Sequence, residues 1–189
     1  AITLKDHPNA PTPIIAGNVS FYNESKSGPI PPSPIVSCLG RFKNVNKAVP
    51  AHFQNNDSVI LLIGERKNEL GGSVYYSLKN ELGANVPKPN FKEVKNQIFA
   101  LTDCIDGGLV LSCHDIADGG VASALAEMTF KNSIGCNVNI ESDLSPDKIL
   151  FSETGGFILE VLPKNIDTIK SVFLNYELDV FEIGSTGGE

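Results

Sequence analysis

The stretch Ser112-Cys113-His114-Asp115-Ile116-Ala117-Asp118-Gly119-Gly120 runs into Val121-Ala122-Ser123-Ala124-Leu125-Ala126-Glu127-Met128. It places a histidine and two carboxylates between a strand end and a helix start. Amides in the first turn of a helix lack partners inside it and carry partial positive charge. Glycines there let a ligand come close to the backbone. The turn is therefore a candidate phosphate site. Two other readings stand beside it: Asp115 and Asp118 hold a hard cation or polar groups, or the segment is only a turn. His7 and His52 are scattered, so His114 alone sits beside other candidate chemistry.

Three further segments carry polar groups next to glycines. Gly17-Asn18-Val19-Ser20-Phe21-Tyr22-Asn23-Glu24 follows an apolar run. Gly17 allows close approach, Asn18 offers a neutral hard-metal oxygen, and Ser20 can donate to a phosphate or a ribose hydroxyl. Glu24 suits a cation or a ribose hydroxyl. The competing reading is a polar β-turn. In Leu150-Phe151-Ser152-Glu153-Thr154-Gly155-Gly156, Glu153 either faces a cleft or is a surface or capping residue. In Leu70-Gly71-Gly72-Ser73, the glycine pair is an anion contact or a turn with Ser73 as N-cap. There is no Walker A loop, Rossmann fingerprint, H-E-x-x-H or ordered Ser-His-Asp set. No lysine sits in a glycine loop, so a reaction of ATP here would use backbone, asparagine and carboxylate contacts.

These segments need elements to position them. The chain has 189 residues, enough for one domain, or one and part of another. Its net charge of −7 argues against nucleic acid as the main partner. No apolar run reaches the roughly 20 residues needed to span a bilayer, and the start lacks a signal-peptide pattern, so no membrane role is expected. Cys38, Cys104, Cys113 and Cys136 are far apart, without C-x-x-C spacing. They read as reduced, mostly buried cysteines of a cytoplasmic protein.

Residues 1–47 hold most of the prolines. Pro13-Ile14-Ile15-Ala16 and Pro34-Ile35-Val36-Ser37-Cys38-Leu39-Gly40 read as strands, too few to bury a core. From Asp57 the pattern alternates strand and helix. Val59–Ile63 is a continuous apolar run, as expected of a strand buried on both faces. Helices are predicted from Val74, over Phe91 to Ile105, from Val121 with Gly135 closing it, after Ser145-Pro146, and over Asn165 to Leu174. Strands are predicted at Leu109–Leu111, Asn137–Ile140 (an edge strand), Phe157–Leu162 and Asp179–Ile183.

In combination and order, Gly17–Glu24, Pro34-Ile35-Val36, Leu70–Ser73, His114–Gly120 and Leu150–Glu153 resemble the synthetase subunits of phosphoribosylformylglycinamidine synthases, within the aminoimidazole-ribonucleotide (AIR)-synthetase-like superfamily. The resemblance covers nearly the whole chain and is to the second, C-terminal repeat. It implies an α/β (α+β) fold with helices packed on a mixed sheet: residues 57–189 as the C-terminal domain, and 1–47 as the tail of an N-terminal-type domain. It implies an ATP- and Mg2+-dependent conversion of formylglycinamide ribonucleotide to the amidine. A glutamine amidotransferase supplies the ammonia, and the N-terminal repeat of the same enzyme is a partner. ATP activates the amide oxygen as an iminophosphate, and ammonia displaces phosphate. By resemblance, Gly17 contacts ATP, Asn18 binds magnesium and Ser20 contacts substrate. The family's catalytic histidine loop belongs to the first repeat, so His114 does not take that role. First repeats carry Glu-Ser-Gln where this chain has Glu153-Thr154-Gly155, which leaves Glu153 between a substrate contact and a decayed pseudo-symmetric site. The chain is then expected to be inactive alone. Another ATP-dependent superfamily member, such as a selenophosphate synthetase or thiamine-phosphate kinase, and a non-catalytic structural repeat are the alternatives.

Overall fold

The computed structural model describes residues 3–5, 7–18, 23–30, 35–42 and 44–188. The chain divides into two compact units, Ala1–Val45 and Asn46–Glu189.

Among its described residues the first unit has two small antiparallel pairs: β1 (Thr3–Leu4) with β2 (His7–Pro11), and β3 (Glu24–Ser25) with β4 (Gly28–Pro29). The second is a tight hairpin. Gly28 adopts φ +113, and the Ser25 hydroxyl donates to the Gly28 carbonyl at 3.1 Å. Neither apolar run predicted as a strand forms one over its described residues, 13–16 and 35–40; Pro34 lies outside the described residues. Residues 12–18 and 35–42 have no regular structure, and Ile14, Ile35, Val36 and Leu39 are almost fully exposed. An apolar run becomes a strand only where a neighbour pairs its backbone, and no described strand pairs with either.

The second unit is built on β5 (Val59–Ile63). After it come α1 (Val74–Ser77), α2 (Phe91–Asp106), β6 (Val110–Asp115), α3 (Gly120–Thr129) and β7 (Cys136–Val138). Then follow α4 (Pro146–Phe151), β8 (Phe157–Val161), α5 (Ile166–Asn175) and β9 (Val180–Thr186). The sheet order is β6-β8-β5-β9-β7, and every pairing is antiparallel. The expected α-plus-β architecture, with helices packed on a sheet, is present, but the sheet expected to be mixed is antiparallel throughout.

The side-chain period of two explains the unbroken apolar run in β5. Ile60 and Leu62 join Val121, Ala124, Leu125 and Met128 of α3 on one face. Leu61 and Ile63 join Ala100, Leu101 and Cys104 of α2 and Ile169 and Phe173 of α5 on the other. A central strand covered on both faces needs apolar residues at every position, whichever way its neighbours run. Burying each such side chain contributes roughly 1.5–3 kcal/mol.

Several boundaries differ from the sequence reading: β6 runs past Leu111 to Asp115, and β7 is Cys136–Val138 rather than Asn137–Ile140. Gly135 does not close α3, which ends at Thr129 with Phe130 as C-cap. Instead Gly135 extends the β7–β9 ladder: its N–H donates to Gly188 at 3.0 Å and its carbonyl accepts from Gly187 at 2.8 Å. The last strand runs beyond Ile183 to Thr186, because Gly184, Ser185 and Thr186 still face β7 partners. The Thr186 hydroxyl oxygen accepts the Ser58 N–H at 2.9 Å in a buried position. At the opposite edge, the Pro50 carbonyl accepts from Cys113 of β6 at 3.0 Å, so preceding chain covers that edge.

Candidate functional site

Three of the four glycine-bearing segments meet at one junction in the second unit. Glu153 follows α4, and its Oε1 accepts from the Val74 amide at 2.8 Å and from the Gly119 amide at 2.9 Å. These amides open α1 and α3. One carboxylate oxygen therefore sits where the N-terminal charge of two helix starts converges.

Local sequence prepares both starts. Ser73 N-caps α1, its Oγ accepting from Tyr76 N–H at 3.2 Å. Gly119 is the N-cap of α3 at φ +76 and has no side chain to cap with. Residues 150–151 press against Gly120, where a Cβ would lie 2.6 Å from the Leu150 carbonyl oxygen. Tyr75 stacks on Phe151 with ring centroids 4.5 Å apart, adding an apolar tie between α1 and the end of α4.

The strand side holds the same segment. Buried Arg66 follows β5; its Nη1 donates to the Thr154 carbonyl at 2.7 Å and its Nη2 to the Gly155 carbonyl at 3.1 Å. Burial pulls the guanidinium down to about 10, while Glu69 and Glu93 act in the opposite direction. The Thr154 hydroxyl donates to Glu69 Oε2 at 2.7 Å. The Gly156 carbonyl accepts from Ile116 N–H at 2.9 Å.

The other candidates of the second unit have different surroundings. His114 Nε2 lies 2.9 Å from Glu127 Oε2, and Nδ1 lies 2.7 Å from the Asp115 carbonyl oxygen, so both ring nitrogens are engaged. Asp115 and Asp118 are exposed. Among the described residues, no group of three or more His, Cys, Asp and Glu side chains converges on a metal position. A cleft of about 890 Å³ is lined by Arg66, Asn139, Glu141, Phe181 and Ile183 among others, and by none of His114, Asp115, Asp118 and Glu153.

In the first unit, Gly17, Asn18 and Glu24 are exposed, and a Cβ at Gly17 would meet no described residue within 4 Å. Ser20 lies outside the described residues.

Sequence reasoning missed Arg66, Glu69 and Glu160. Glu160 is fully buried in β8; Oε2 accepts from Gln54 N–H and from the Ser112 hydroxyl, both at 2.8 Å, and Oε1 from Asn55 N–H at 2.9 Å. The signal was available, since a lone carboxylate inside Phe157-Ile158-Leu159-Glu160-Val161-Leu162 must be satisfied internally. Arg66 and Glu69 gave only charge beside a strand end. None of the four cysteines is in a disulfide; Cys104 is buried and Cys38 exposed. Burial, reinforced by Asp115, pushes the Cys113 thiol up to about 12.

Among known proteins, the chain is 38% identical to phosphoribosylformylglycinamidine synthase subunit PurL of Methanothrix thermoacetophila, over 96% of its own length and 24% of the relative's. It is 37% identical to the same subunit of Thermoplasma volcanium, over 94% of its own length and 23% of the relative's. The chain thus spans about a quarter of the length of these curated relatives. The solved structure of Thermotoga maritima PurL complexed with FGAR shares the fold. Its TM-score is 0.67 at 20% identity, covering 77% of this chain and 26% of that one. No described helix is long and apolar enough to cross a membrane. Residues 55–189 match the C-terminal domain of the AIR synthase related proteins, and the chain belongs to that family.

Proposed function

We propose that this chain is part of a phosphoribosylformylglycinamidine synthase acting in purine biosynthesis in the cytoplasm. The carrying observation is the 38% identity to a PurL subunit over 96% of the chain. The reaction is the ATP-dependent conversion of formylglycinamide ribonucleotide, with glutamine-derived ammonia, to formylglycinamidine ribonucleotide. Relatives solved with ATP and with FGAR support the nucleotide and the substrate, and a structure titled PurLQS supports an amidotransferase partner. The remainder of the parent, including an N-terminal repeat, completes the site.

Gly17 contacts ATP, Asn18 ligates magnesium and Ser20 contacts the ribonucleotide. The donor chemistry fits: the Asn18 carboxamide and Glu24 carboxylate are hard oxygen donors, and both residues are exposed. Magnesium usually keeps waters and binds one or two protein oxygens beside phosphates. It would supply charge neutralisation for phosphoryl transfer. The test is Asn18→Ala in the full-length parent. Amidine formation should be lost with the fold intact, and an unchanged rate refutes the role of Asn18.

A second reading, a structural repeat packing against an active one, draws support from Glu153, whose carboxylate takes the helix-start amides that a ligand would need. Nucleotide titration of the parent with and without Gly17→Asp separates the two. Equal affinity favours the structural repeat.

A further inference from the structure

We propose that Glu153 is a built-in anion: its carboxylate takes the place of a phosphate at the start of α3, making the Asp115–Gly120 turn a closed latch that fastens α1 to α3. The argument begins with space. Gly119 and Gly120 are buried and both have positive φ. A Cβ on Gly119 would collide with the Ser123 hydroxyl, and one on Gly120 with the Leu150 carbonyl and the Phe151 backbone. Gly120 therefore makes room for the protein's own residues 150–151, while Gly119 clears Ser123 of α3 itself.

Partners give the second step. α3 has no side-chain cap of its own, because its N-cap is glycine. A buried amide at a helix start needs an acceptor. Glu153 Oε1 supplies it from 34 residues away and serves Val74 with the same oxygen. The third step is rigidity. Arg66 and Glu69 hold Thr154 and Gly155 by three hydrogen bonds of 2.7–3.1 Å, so the carboxylate is fixed from behind. An added phosphate would have to displace a charged acceptor already in position.

The test is amide exchange and phosphate titration by NMR on this chain, comparing wild type with Glu153→Ala. Inorganic phosphate should leave the Val74 and Gly119 amides of wild type unmoved relative to chloride at matched ionic strength. In Glu153→Ala both amides should lose protection by about 10- to 100-fold, the loss expected for a hydrogen bond to a charged group. Phosphate should then shift them saturably. If Glu153→Ala does not fold, Glu153→Gln, which keeps an acceptor oxygen without the charge, should show a smaller loss at the same two amides. Saturable phosphate shifts at Gly119 in wild type, or unchanged protection in the variant that folds, would overturn the latch. Neither outcome depends on the ligase reading, which is decided by turnover of the parent.

Discussion

Gly17 and Gly120 both belong to glycine-bearing polar segments, yet they meet opposite surroundings. No described residue lies within 4 Å of where a Cβ on Gly17 would be, and Asn18 beside it is exposed. Around Gly120 the Leu150 and Phe151 backbone lies within 2.9 Å of where a Cβ would be. At one glycine no described neighbour demands the missing side chain. The other exists because this chain has already filled the room. The same residue type is thus unconstrained by described neighbours in one unit and demanded by packing in the other.

The comparison can be tested by substitution. The largest effect is expected at Glu160, the carboxylate that, like Glu153, serves backbone amides from within the fold. Glu160→Ala strands the Gln54 and Asn55 amides and the Ser112 hydroxyl and should cost on the order of 4 kcal/mol in urea unfolding. A loss below about 1 kcal/mol would mean that water replaces the carboxylate freely. Gly120→Ala should cost about 3 kcal/mol, from left-handed strain and the clash with residues 150–151. Gly17→Ala should change stability by less than about 0.5 kcal/mol. Equal losses at the two glycines would erase the distinction between them.

A smaller effect tests the burial of β6. The fold favours the neutral Cys113 thiol, whose pKa rises from 9.0 to about 12. Its contribution is complete below the unfolded value and is lost as pH climbs from about 9 toward 12. Unfolding free energy should therefore fall across that window, and fall less in Cys113→Ala. Parallel slopes for the two proteins would place the decline elsewhere.

Much of the second unit was readable from pattern. The α3 face of Val121, Ala124, Leu125 and Met128 is the buried face, and the apolar run in β5 is covered on both sides. Ser73 is the N-cap that its position suggested. The first unit read less well. Ile14, Ile15, Ile35 and Val36 carry strand propensity, but strand formation needs hydrogen-bonding neighbours that propensity does not supply. The junction was half legible: its segments were singled out one at a time, and nothing local said that Glu153 would close two of them.

The order of the helices and strands, the faces they bury and the glycine turns between them follow from the sequence, because periodicity and turn chemistry act over a few residues. Tertiary structure alone decided which anion stands at the α3 start and that Glu160 lies sealed beneath residues 54–55. A buried amide takes the acceptor that packing delivers, and packing is settled by the whole core rather than by the neighbouring residues.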